Sequence, residues 1–583
     1  MGSQVLLKVK TACEEKPIFY ACTFLVLIVF VCYANVVSAP FIWDDWLVIL
    51  SNDVVKDISN WKLVFTTGML GAGWEAKDFF RPVQIFSHLI EYSIWQQNQI
   101  GYHLTSIFIH ALNAILLFFL LLKFDLKKTW AYGISLIFAV HAVNTTSVAY
   151  ISARGDVLGL FFSLLCFLLF ILALKKAWLY PLSLISLILA ILSKENFVPI
   201  ALIIGAYVFL FQDKTLRNWK QITWLAILNA GSFAYIIYRA VATITQSGTP
   251  SSWIGYASLW ERVLTFPKIL ITYLKLLVFP YPLHVEYHFV ERSLTSPYIW
   301  LGLPLLIALT IFLFVKSNQK RKFLFYSFWF IVGLAPVSNI IVPLLATMRE
   351  NWLYFPGIGF LLLMALLYQQ LIDFIQRKEY SKITIVLKIF PLVFIIYLAV
   401  FAIIRNNDWN DPLTFFQHEV EHEPMSHMAL NNLGGIYFQE EDFIAAKEVF
   451  EKAVESSPAG FFSDAYFNLG LIAIHEEEYD YALYYFQDST RGGNYENANA
   501  QIGRVYLLQD NLEAAKEILE EGYNLYPNNP WLLYYLSQYY IKVEDNERAI
   551  QVLTELQYLY PNFQNVESLI SALSEQENSN SQQ

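Results

Sequence analysis

Long apolar stretches separated by short polar segments occupy most of residues 1–404. A helix needs about 17–25 apolar residues to cross a bilayer, and about eleven stretches approach that length. They lie at 17–38, 103–122, 131–150, 157–174, 177–192, 196–211, 221–243, 298–315, 323–343, 353–372 and 384–404. The pattern predicts a polytopic helical membrane domain. Its first stretch is interpreted as an uncleaved anchor, because it is long and lacks a convincing small-residue cleavage site.

A twelfth apolar stretch at 263–280 carries Pro267, Lys268 and Lys275 in its middle. Cytoplasmic loops of membrane proteins are enriched in Lys and Arg. If the N-terminus is cytoplasmic, alternate crossings place the basic loops of the first half in the cytoplasm. The later basic clusters also lie in the cytoplasm only if 263–280 does not cross the membrane. We therefore interpret this stretch as re-entrant or interfacial, which places the C-terminal half on the non-cytoplasmic side.

From about residue 426 the pattern changes to a period of about 34 residues, the length of a tetratricopeptide repeat. Small and aromatic residues recur where the two helices of such a repeat pack. The first unit has Leu433, Gly434, Tyr437, Ala446, Phe450, Ala453 and Pro458, and the later units have Leu469, Gly470, Ala482 and Phe486, then Ile502, Gly503, Tyr506, Ala515 and Pro527, then Leu536, Tyr540, Ala549 and Pro561. Four units over 427–563 can bury a continuous core.

These patterns predict an all-α fold in two parts. A membrane domain covers 1–412, with a long first external loop at 39–102. A linker helix at 413–426 leads to a repeat domain at 427–570, and a flexible tail follows at 571–583 because it is rich in Ser, Asn, Gln and Glu.

Composition agrees with this division and sharpens it. The chain is 56% hydrophobic and 15% charged, which excludes an ordinary soluble protein. Residues 413–583 contain 28 acidic and 7 basic residues, so the net charge of −10 leaves residues 1–412 basic, with 32 Lys and Arg against 21 Asp and Glu. An acidic domain argues against nucleic acid as a partner. The four cysteines lie in or beside apolar segments and imply no disulfide framework.

Ionisable residues collect at the external ends of the predicted spans, where they are costly unless paired or functional. They are Asp44 and Asp45 after the first span, Arg154 with Asp156, Lys194 with Glu195, and Arg349 with Glu350, and the aromatic loop at 280–288 lies on the same side. We expect these groups to converge on one external site.

Seven segments in this order resemble the transmembrane and tetratricopeptide-repeat O-mannosyltransferases, members of the GT-C superfamily of glycosyltransferases. They read FIWDDWLVILSNDV, DFFRPVQIFSHLIEYSIW, YHLTSIFIHALNAILLFFLL, FAVHAVNTTSVAYISARGDVLG, ILSKENFVPIAL, PVSNIIVPLLATMRENWLYFPGIGF and RNNDWNDPLTFF. Two departures lie in the fourth segment, FAVHAVNTTSVAYISARGDVLG: Ala142 stands where the family often has Pro, and Asn144 and Thr146 stand where it often has His and Glu.

The resemblance implies an inverting transfer of a sugar, usually mannose, from a polyprenyl or dolichyl phosphate carrier to a Ser or Thr hydroxyl of a protein. It also implies that the pair Asp44 and Asp45 supplies the catalytic carboxylate. The residues that sit where the family's motifs sit are Arg81, His103, His141, Arg154, Asp156, Lys194 and Glu195.

Elementary chemistry supports the same assignment. Attack by a hydroxyl requires one carboxylate to take its proton, and we expect Asp45 to be this base, with Asp44 supporting it. A phosphate leaving group gains charge that Arg and Lys stabilise in a water-poor site. Arg154, Lys194 and Arg349 are the candidates for that role.

Other interpretations stay open at this point. The acidic pair can cap a helix, and the span-end ions can simply pair with one another. His110 can hydrogen-bond between helices. The run from His418 to His422 matches H-E-x-x-H, a zinc-protease pattern, and the residues His284, Glu286 and His288 alternate like metal ligands. A non-catalytic membrane scaffold and a transporter are further alternatives.

The expected partners are a lipid-linked sugar donor, membrane lipids, and acceptor proteins held in the repeat groove. No metal ligands are assigned and no cofactor is firmly predicted, although a divalent metal is possible. The expected location is the inner membrane of a prokaryotic cell, or the endoplasmic reticulum of a eukaryotic one. The N-terminus is cytoplasmic, and the catalytic loops and repeats are periplasmic, extracellular or lumenal.

Overall fold

The computed structural model describes residues 2–69, 79–212, 219–244, 252–378, 381–492, 495–561, 563 and 565–580. The chain divides into two compact units, Met1–Glu423 and Pro424–Gln583. Both are helical, and the described residues contain no β-strand, only an isolated antiparallel bridge between Tyr287 and Met348. The predicted all-α fold is confirmed.

The apolar stretches of the first unit are mainly helical, although the stretch at 131–150 is divided between two helices and the one at 323–343 is α-helical only as far as Leu334. The helices are α1 (Gly2–Cys32), α2 (Asp53–Lys56), α3 (Pro82–Trp95), α4 (Gln99–Lys123), α5 (Lys128–Val140), α6 (Thr145–Ala149), α7 (Arg154–Ala173), α8 (Tyr180–Ser193), α9 (Ile200–Phe211), α10 (Trp219–Ile244), α11 (Trp253–Tyr256), α12 (Leu259–Val278), α13 (Leu303–Lys316), α14 (Lys320–Leu334), α15 (Pro356–Arg377), α16 (Ser381–Asn407) and α17 (Pro412–His422).

Several of these helices fit a bilayer by length and composition. Within the described residues, the long apolar regions are Gln99–Lys123, Ile151–Ala173, Tyr298–Lys316, Pro356–Arg377 and Lys382–Asn410, and the bent pair Lys128–Val140 and Ala142–Ala149 would form one more. Shorter apolar helices lie at Pro17–Cys32, Ala177–Ser193 and Glu195–Phe211. The chain is therefore a membrane protein, and the count of eleven spans stays a prediction.

The stretch predicted as one span at 131–150 is instead bent by 52°. After α5 ends, the Asn144 amide donates to the Phe138 carbonyl (2.8 Å). The Val143 N–H donates to Nδ1 of His141 (3.3 Å). Side chains thus satisfy backbone groups that a continuous helix would pair internally, so the helix can break without unpaired polar groups.

The stretch predicted not to cross, 263–280, forms most of α12 and is not among the long apolar helices above. Its first turn is fixed by reciprocal hydrogen bonds between Ser258 and Glu261. In its middle, Lys268 donates to Glu291 (2.9 Å). This amphipathic helix with a paired lysine fits an interfacial segment, and its position relative to the membrane stays a prediction.

Close packing around α7 shapes the core of the first unit. A Cβ added to Gly159 would lie 2.2 Å from the Phe197 ring, and one added to Gly155 would lie 2.7 Å from the Ser193 carbonyl. Small residues therefore let α7 approach the end of α8 and the turn after it. This approach brings the segments before α7 and after α8 together.

Helix α17 was predicted as a linker but belongs to the first unit. Its residues Phe415 and Phe416 are buried, and both rings contact Trp43 at centroid distances of 6.1 and 5.6 Å. The first unit therefore extends to Glu423 rather than ending at 412, because α17 packs its aromatic face on the first external loop.

The second unit consists of helix pairs, as the repeat pattern predicts. They are α18 (His427–Gln439) with α19 (Phe443–Glu455), α20 (Ser463–His475) with α21 (Tyr479–Thr490), α22 (Tyr495–Leu508) with α23 (Leu512–Leu525), and α24 (Pro530–Lys542) with α25 (Asn546–Leu559). A final helix, α26, covers Val566–Asn580. The tail predicted to be flexible from 571 is thus helical as far as 580, because Val566 and Leu573 bury against the last repeat. Residues 581–583 lie outside the described residues.

Candidate active site

The acidic pair of the first loop separates into two different environments. Asp45 is 2% exposed and accepts three hydrogen bonds, one from the Ile42 N–H (3.1 Å) and two from Ser152, through its N–H (2.7 Å) and its hydroxyl (2.5 Å). Burial raises the pKa of Asp45 to about 7, while these donors oppose the shift. Asp45 therefore ties the first loop to the turn before α7.

Asp44 is only partly buried and faces cations. Its N–H donates to the Tyr150 hydroxyl (3.1 Å), and that hydroxyl also hydrogen-bonds the Asp44 carboxylate. Burial raises the pKa of Asp44, whereas the Arg349 guanidinium, and more weakly that of Arg81, lower it. Asp44 is thus the more accessible carboxylate of the pair.

The residue before Asp44 adopts an unusual backbone conformation. Trp43 has φ +58°, in the left-handed region that bulky residues rarely occupy. Such a conformation persists only where the surroundings hold it, and here the Trp43 ring packs on α17. The contacts with α17 thus hold this conformation at the start of the segment that carries Asp44 and Asp45.

Arg81 and Glu195 form a partly exposed ion pair beside this loop. Arg81 donates through Nε (3.1 Å) and Nη2 (2.6 Å) to the two Glu195 oxygens, and its side chain is 12% exposed, that of Glu195 30%. Arg81 also lies 4.9 Å from the Phe79 ring centroid. This bidentate pair holds a guanidinium at the rim of the site with part of its surface open.

Lys194 and Asp156 form a second, more deeply buried pair. The Lys194 ammonium donates to both Asp156 oxygens at 2.8 Å, and Asn351 donates to one of them (2.8 Å). The charges of this pair act on Arg81 as well. Arg81, Asp156, Lys194 and Glu195 therefore form one cluster.

Arg349 approaches the acidic pair from another segment. It donates through Nη2 to Glu286, and its side chain is 19% exposed. Its Nε is buried and finds no hydrogen-bond partner among the described residues. Arg349 thus keeps a free donor next to a partly exposed carboxylate, Asp44.

Arg154, by contrast, is fully buried and all three of its nitrogens donate to protein groups. They contact Glu91 (2.7 Å), the Ser106 hydroxyl (2.9 Å) and the Tyr102 carbonyl (2.7 Å), and Glu91 also binds His88 (3.1 Å). These contacts join α3, α4 and α7. They match the interpretation, left open by the sequence, that the ions at the span ends simply pair with other protein groups.

Three histidines also contact backbone rather than open space. His103 donates to the Ala39 carbonyl (3.0 Å), and His141 donates to the Leu277 carbonyl (3.1 Å). His110 donates to Ala139 (3.0 Å), as the inter-helix interpretation predicts. Their catalytic or binding roles stay predictions, and the contacts show them fixing loops and helices.

The two metal-like patterns lie against each other without forming a metal site. The His418 ring donates to the Leu283 carbonyl (2.9 Å), and Glu419, the base of the protease pattern, is 1% exposed and binds Arg405 (3.0 Å). His284 donates to the Glu286 carbonyl (2.6 Å). Among the described residues, no three His, Cys, Asp or Glu side chains are placed to hold a metal ion.

The sequence interpretation missed a buried cation, Arg405, near the end of α16. It donates to Asp408 (2.9 Å), Glu419 (3.0 Å) and Glu350 (3.3 Å). Its position in the segment RNNDWNDPLTFF, after a long apolar stretch, was a signal that it is paired or functional. The partners could not be identified, because they come from three separate segments.

The repeats present an amide-rich surface on their first helices. In α18, α20 and α22 a glycine packs on the second helix of its repeat, and a Cβ on Gly434 or Gly470 would lie 2.6 Å from a phenylalanine ring. The residue two positions before each glycine lies about 200° around the helix axis from it, on the side opposite the second helix. These positions hold Asn432 and Asn468, which are partly exposed, and Gln501, which is buried; Tyr535, also buried, occupies the same register in α24.

This surface carries few acidic residues. Only Asp464 and Glu496 lie on the four first helices, whereas residues 424–583 contain 25 acidic residues. Neighbouring polar groups are linked across repeats: Asn468 donates to Asn431 (3.0 Å), and Arg504, which donates to Gln501 (3.3 Å) within its own helix, lies 5.9 Å from the Tyr535 ring of the next repeat. The negative charge of the repeat unit therefore lies mainly on its other surfaces.

Both units of the chain are similar to known proteins. Tetratricopeptide-repeat family models match residues 429–459 and 506–573. A tetratricopeptide-repeat protein of Thermus thermophilus with a solved structure is 18% identical and covers 29% of this chain and 91% of its own, with a TM-score of 0.25.

Similarity to curated proteins extends over the membrane unit. A protein O-mannosyl-transferase of Caenorhabditis elegans is 26% identical over 69% of this chain, and protein O-mannosyl-transferase TMTC3 of Homo sapiens is 22% identical over 87% of it. The matches cover 58% and 60% of those relatives, so this chain spans a little over half of their length. In sequence and in its repeats, the chain is similar to the tetratricopeptide-repeat-containing protein O-mannosyl-transferases.

Proposed function

We propose that the chain is a membrane O-mannosyltransferase that moves mannose from a polyprenyl phosphate carrier to Ser or Thr hydroxyls of proteins. The proposal rests mainly on the partly exposed Asp44 carboxylate, whose charge interacts with the positive charges of Arg349 and Arg81. The names of the relatives supply the sugar and the acceptor type. The site is proposed to face the non-cytoplasmic side, with the N-terminus in the cytoplasm.

In the proposed step, Asp44 accepts the proton of the acceptor hydroxyl. The hydroxyl oxygen then forms a bond to C1 of the sugar while the bond from C1 to the carrier phosphate oxygen breaks. The electron pair of the broken bond leaves with the phosphate, so a single displacement inverts the configuration at C1. A well-placed base of this kind contributes about 10²–10⁴ in rate.

Arg349 and Arg81 are proposed to stabilise the leaving phosphate. Both are partly exposed, and Arg349 has a buried Nε that lacks a partner among the described residues. Donors that are already oriented stabilise developing charge without reorganising during the reaction. Lys194 pairs with Asp156, whose negative charge also acts on Arg81. Arg154 is assigned to structure because its nitrogens are used within the protein.

Asp45 is proposed to hold the loop, not to act as the base. All its hydrogen-bond partners are protein groups, and it is almost completely buried. This assignment reverses the order expected from the sequence, where the two residues could not be distinguished by spacing alone.

The repeats are proposed to bind an extended segment of the acceptor through its main chain. Partly exposed amide side chains such as Asn432 and Asn468 carry both donors and acceptors, which match backbone groups of any sequence. A surface with few acidic residues would also bind substrates without requiring basic sequences. The acceptor would then be selected mainly by its lack of structure.

The direct test is to incubate the purified full chain with polyprenyl phosphates carrying mannose, glucose or N-acetylglucosamine and an unstructured Ser/Thr-containing peptide. Mass spectrometry should find one hexose on Ser or Thr with the mannosyl donor. Failure of every donor, under conditions in which the chain is folded, would overturn the proposal.

Arg349→Gln should move the pH dependence of transfer. Arg349 lowers the pKa of Asp44, so its removal raises that pKa and leaves less of the base deprotonated at a given pH. The acid limb of the rate profile should therefore shift to higher pH. The matched control is Arg292→Gln, because Arg292 is an exposed cation 64% open to solvent and paired with Glu261. An unshifted limb in Arg349→Gln would exclude its action on Asp44.

Combined replacement of Asn432 and Asn468 by Ala should weaken peptide binding by about 5–150-fold, because each neutral hydrogen bond contributes about 0.5–1.5 kcal/mol. Gln487→Ala, which removes an exposed amide from the second helix α21, should change little. Binding is measured by fluorescence anisotropy with a neutral peptide. Affinity that falls steeply with salt, or that Gln487→Ala lowers equally, would contradict main-chain recognition.

A further inference from the structure

Arg405 joins three segments of the first unit through its guanidinium. It is 4% exposed and binds Glu350 of the 350–353 turn, Asp408 after α16, and Glu419 of α17. Glu350 also accepts a hydrogen bond from Thr146. One buried cation therefore fixes the relative positions of these segments, because breaking it would leave buried carboxylates without a counter-charge.

An aromatic contact connects this cluster to Asp44. The Arg405 guanidinium lies 5.9 Å from the centroid of the Trp409 ring, and that ring stacks on Tyr150 with centroids 5.4 Å apart at 28°. Tyr150 in turn hydrogen-bonds both the N–H and the carboxylate of Asp44. Trp409 and Tyr150 are 2% and 6% exposed, so the contact is packed on both sides.

A second connection reaches the cation of the site. Glu350 directly follows Arg349 in the chain. Glu419 uses its other oxygen to accept the Val285 N–H (2.7 Å), and Val285 precedes Glu286, the partner of Arg349. Arg405 is thus linked to the segment that carries the proposed base, Asp44. It is also linked to both segments that carry the ion pair near Asp44, which is formed by Arg349 and Glu286.

We infer that Tyr150 and Arg405 are positioning residues for the proposed reaction: Tyr150 orients and stabilises the Asp44 carboxylate, and Arg405 holds Tyr150 in place through Trp409. The inference rests on the proposed function for its effect on transfer. Its effect on Asp44 itself can be measured without any transfer.

The Tyr150 hydroxyl acts on the charged form of Asp44. A hydroxyl that donates to a carboxylate stabilises the anion and lowers its pKa. Tyr150→Phe removes this donor but keeps the ring that stacks on Trp409. The pKa of Asp44 in this variant should rise, while the packing around it should remain.

The test measures the protonation of Asp44 directly. A water-soluble carbodiimide and an amine label protonated carboxyls, and peptide mass spectrometry of the full chain follows labelling of Asp44 from pH 4 to 9. In Tyr150→Phe the midpoint should move to higher pH. The control Tyr207→Phe, which removes a hydroxyl bonded to the Lys123 carbonyl (3.3 Å), should leave the midpoint unchanged. An unchanged midpoint in Tyr150→Phe, or an equal change in the control, would overturn the inference.

Transfer rates then distinguish a positioning role of these residues from an effect on folding stability alone. Tyr150→Phe should lower kcat by about 10–100-fold, the factor expected for one hydrogen bond to a charged group, with little change in KM or Tm. Trp409→Phe should retain most activity and Trp409→Ala should not. Arg405→Gln should move the Asp44 midpoint in the same direction as Tyr150→Phe, and Arg405→Lys should move it less.

The two proposals fail separately. If wild-type protein transfers no sugar but the labelling midpoint shifts as expected, the proposed function is wrong and the positioning of Asp44 stands. If transfer is observed, is lost in Asp44→Asn, and is unaffected by Tyr150→Phe or Arg405→Gln, the positioning inference is wrong and the proposed function stands.

Discussion

Asp44→Asn should lower the rate of sugar transfer by about 10²–10⁴-fold while the protein remains folded, since it removes the general base and little else. The amide that replaces the carboxylate has nearly the same shape, and the backbone contact of this residue to Tyr150 is kept. Asn cannot take a proton from the acceptor hydroxyl. The expected loss is therefore in kcat, with donor binding retained, and is measured by initial rates at saturating donor.

Two matched variants complete this experiment. Asp53→Asn alters a carboxylate of the same loop that is 90% exposed and paired with Lys56, and it should leave transfer unchanged. Asp45→Asn places an amide among three donors, so it should lower Tm as well as activity. If Asp44→Asn transfers at the wild-type rate and folded Asp45→Asn does not, the base is Asp45.

Arg154→Met should destabilise the first unit by about 3–5 kcal/mol, because removing one partner of a buried ion pair leaves the other charge uncompensated. The stranded group is Glu91, whose side chain is 6% exposed. The loss should be seen as a lower midpoint of thermal or denaturant unfolding in detergent, followed by tryptophan fluorescence.

Removing the stranded charge should recover part of this stability. In the double variant Arg154→Met/Glu91→Gln no unpaired carboxylate remains, so its unfolding midpoint should lie above that of Arg154→Met. Lys56→Met breaks an exposed pair with Asp53 and should cost at most about 1 kcal/mol. An Arg154→Met protein that unfolds like wild type but does not transfer sugar would support the phosphate-binding role expected from the sequence.

The helices could be predicted from the sequence because their signals are local. Apolar stretches indicated the apolar helices of the first unit, and the small residues Gly434 and Gly470 marked where the repeat helices pack. Predictions from the sequence were less accurate where contacts between distant segments determine the local structure. The break at His141, the attachment of α17 to the first unit and the helical tail all depend on side chains that find partners elsewhere.

The site shows the same division. The sequence identified Asp156, Lys194 and Glu195 as ions that must be paired or functional, and the family resemblance added Arg81; the four form one cluster. The sequence favoured Asp45 over Asp44 as the base, but adjacent residues have the same local signal, and their environments differ through contacts with the distant residues Ser152 and Tyr150. The cluster around Arg405 was missed because its partners lie 3, 14 and 55 residues away in sequence.

The measurement that tests the central claim most directly is the configuration of the sugar on the product. Wild-type protein is incubated with a mannosyl polyprenyl phosphate of known anomer, labelled with carbon-13 at C1, and a Ser/Thr peptide, and the glycopeptide is examined by NMR. We expect mannose on a Ser or Thr oxygen with the opposite anomeric configuration, and no such signal from Asp44→Asn. A product that retains the donor configuration, or an equal signal from Asp44→Asn, would contradict a single displacement with Asp44 as its base.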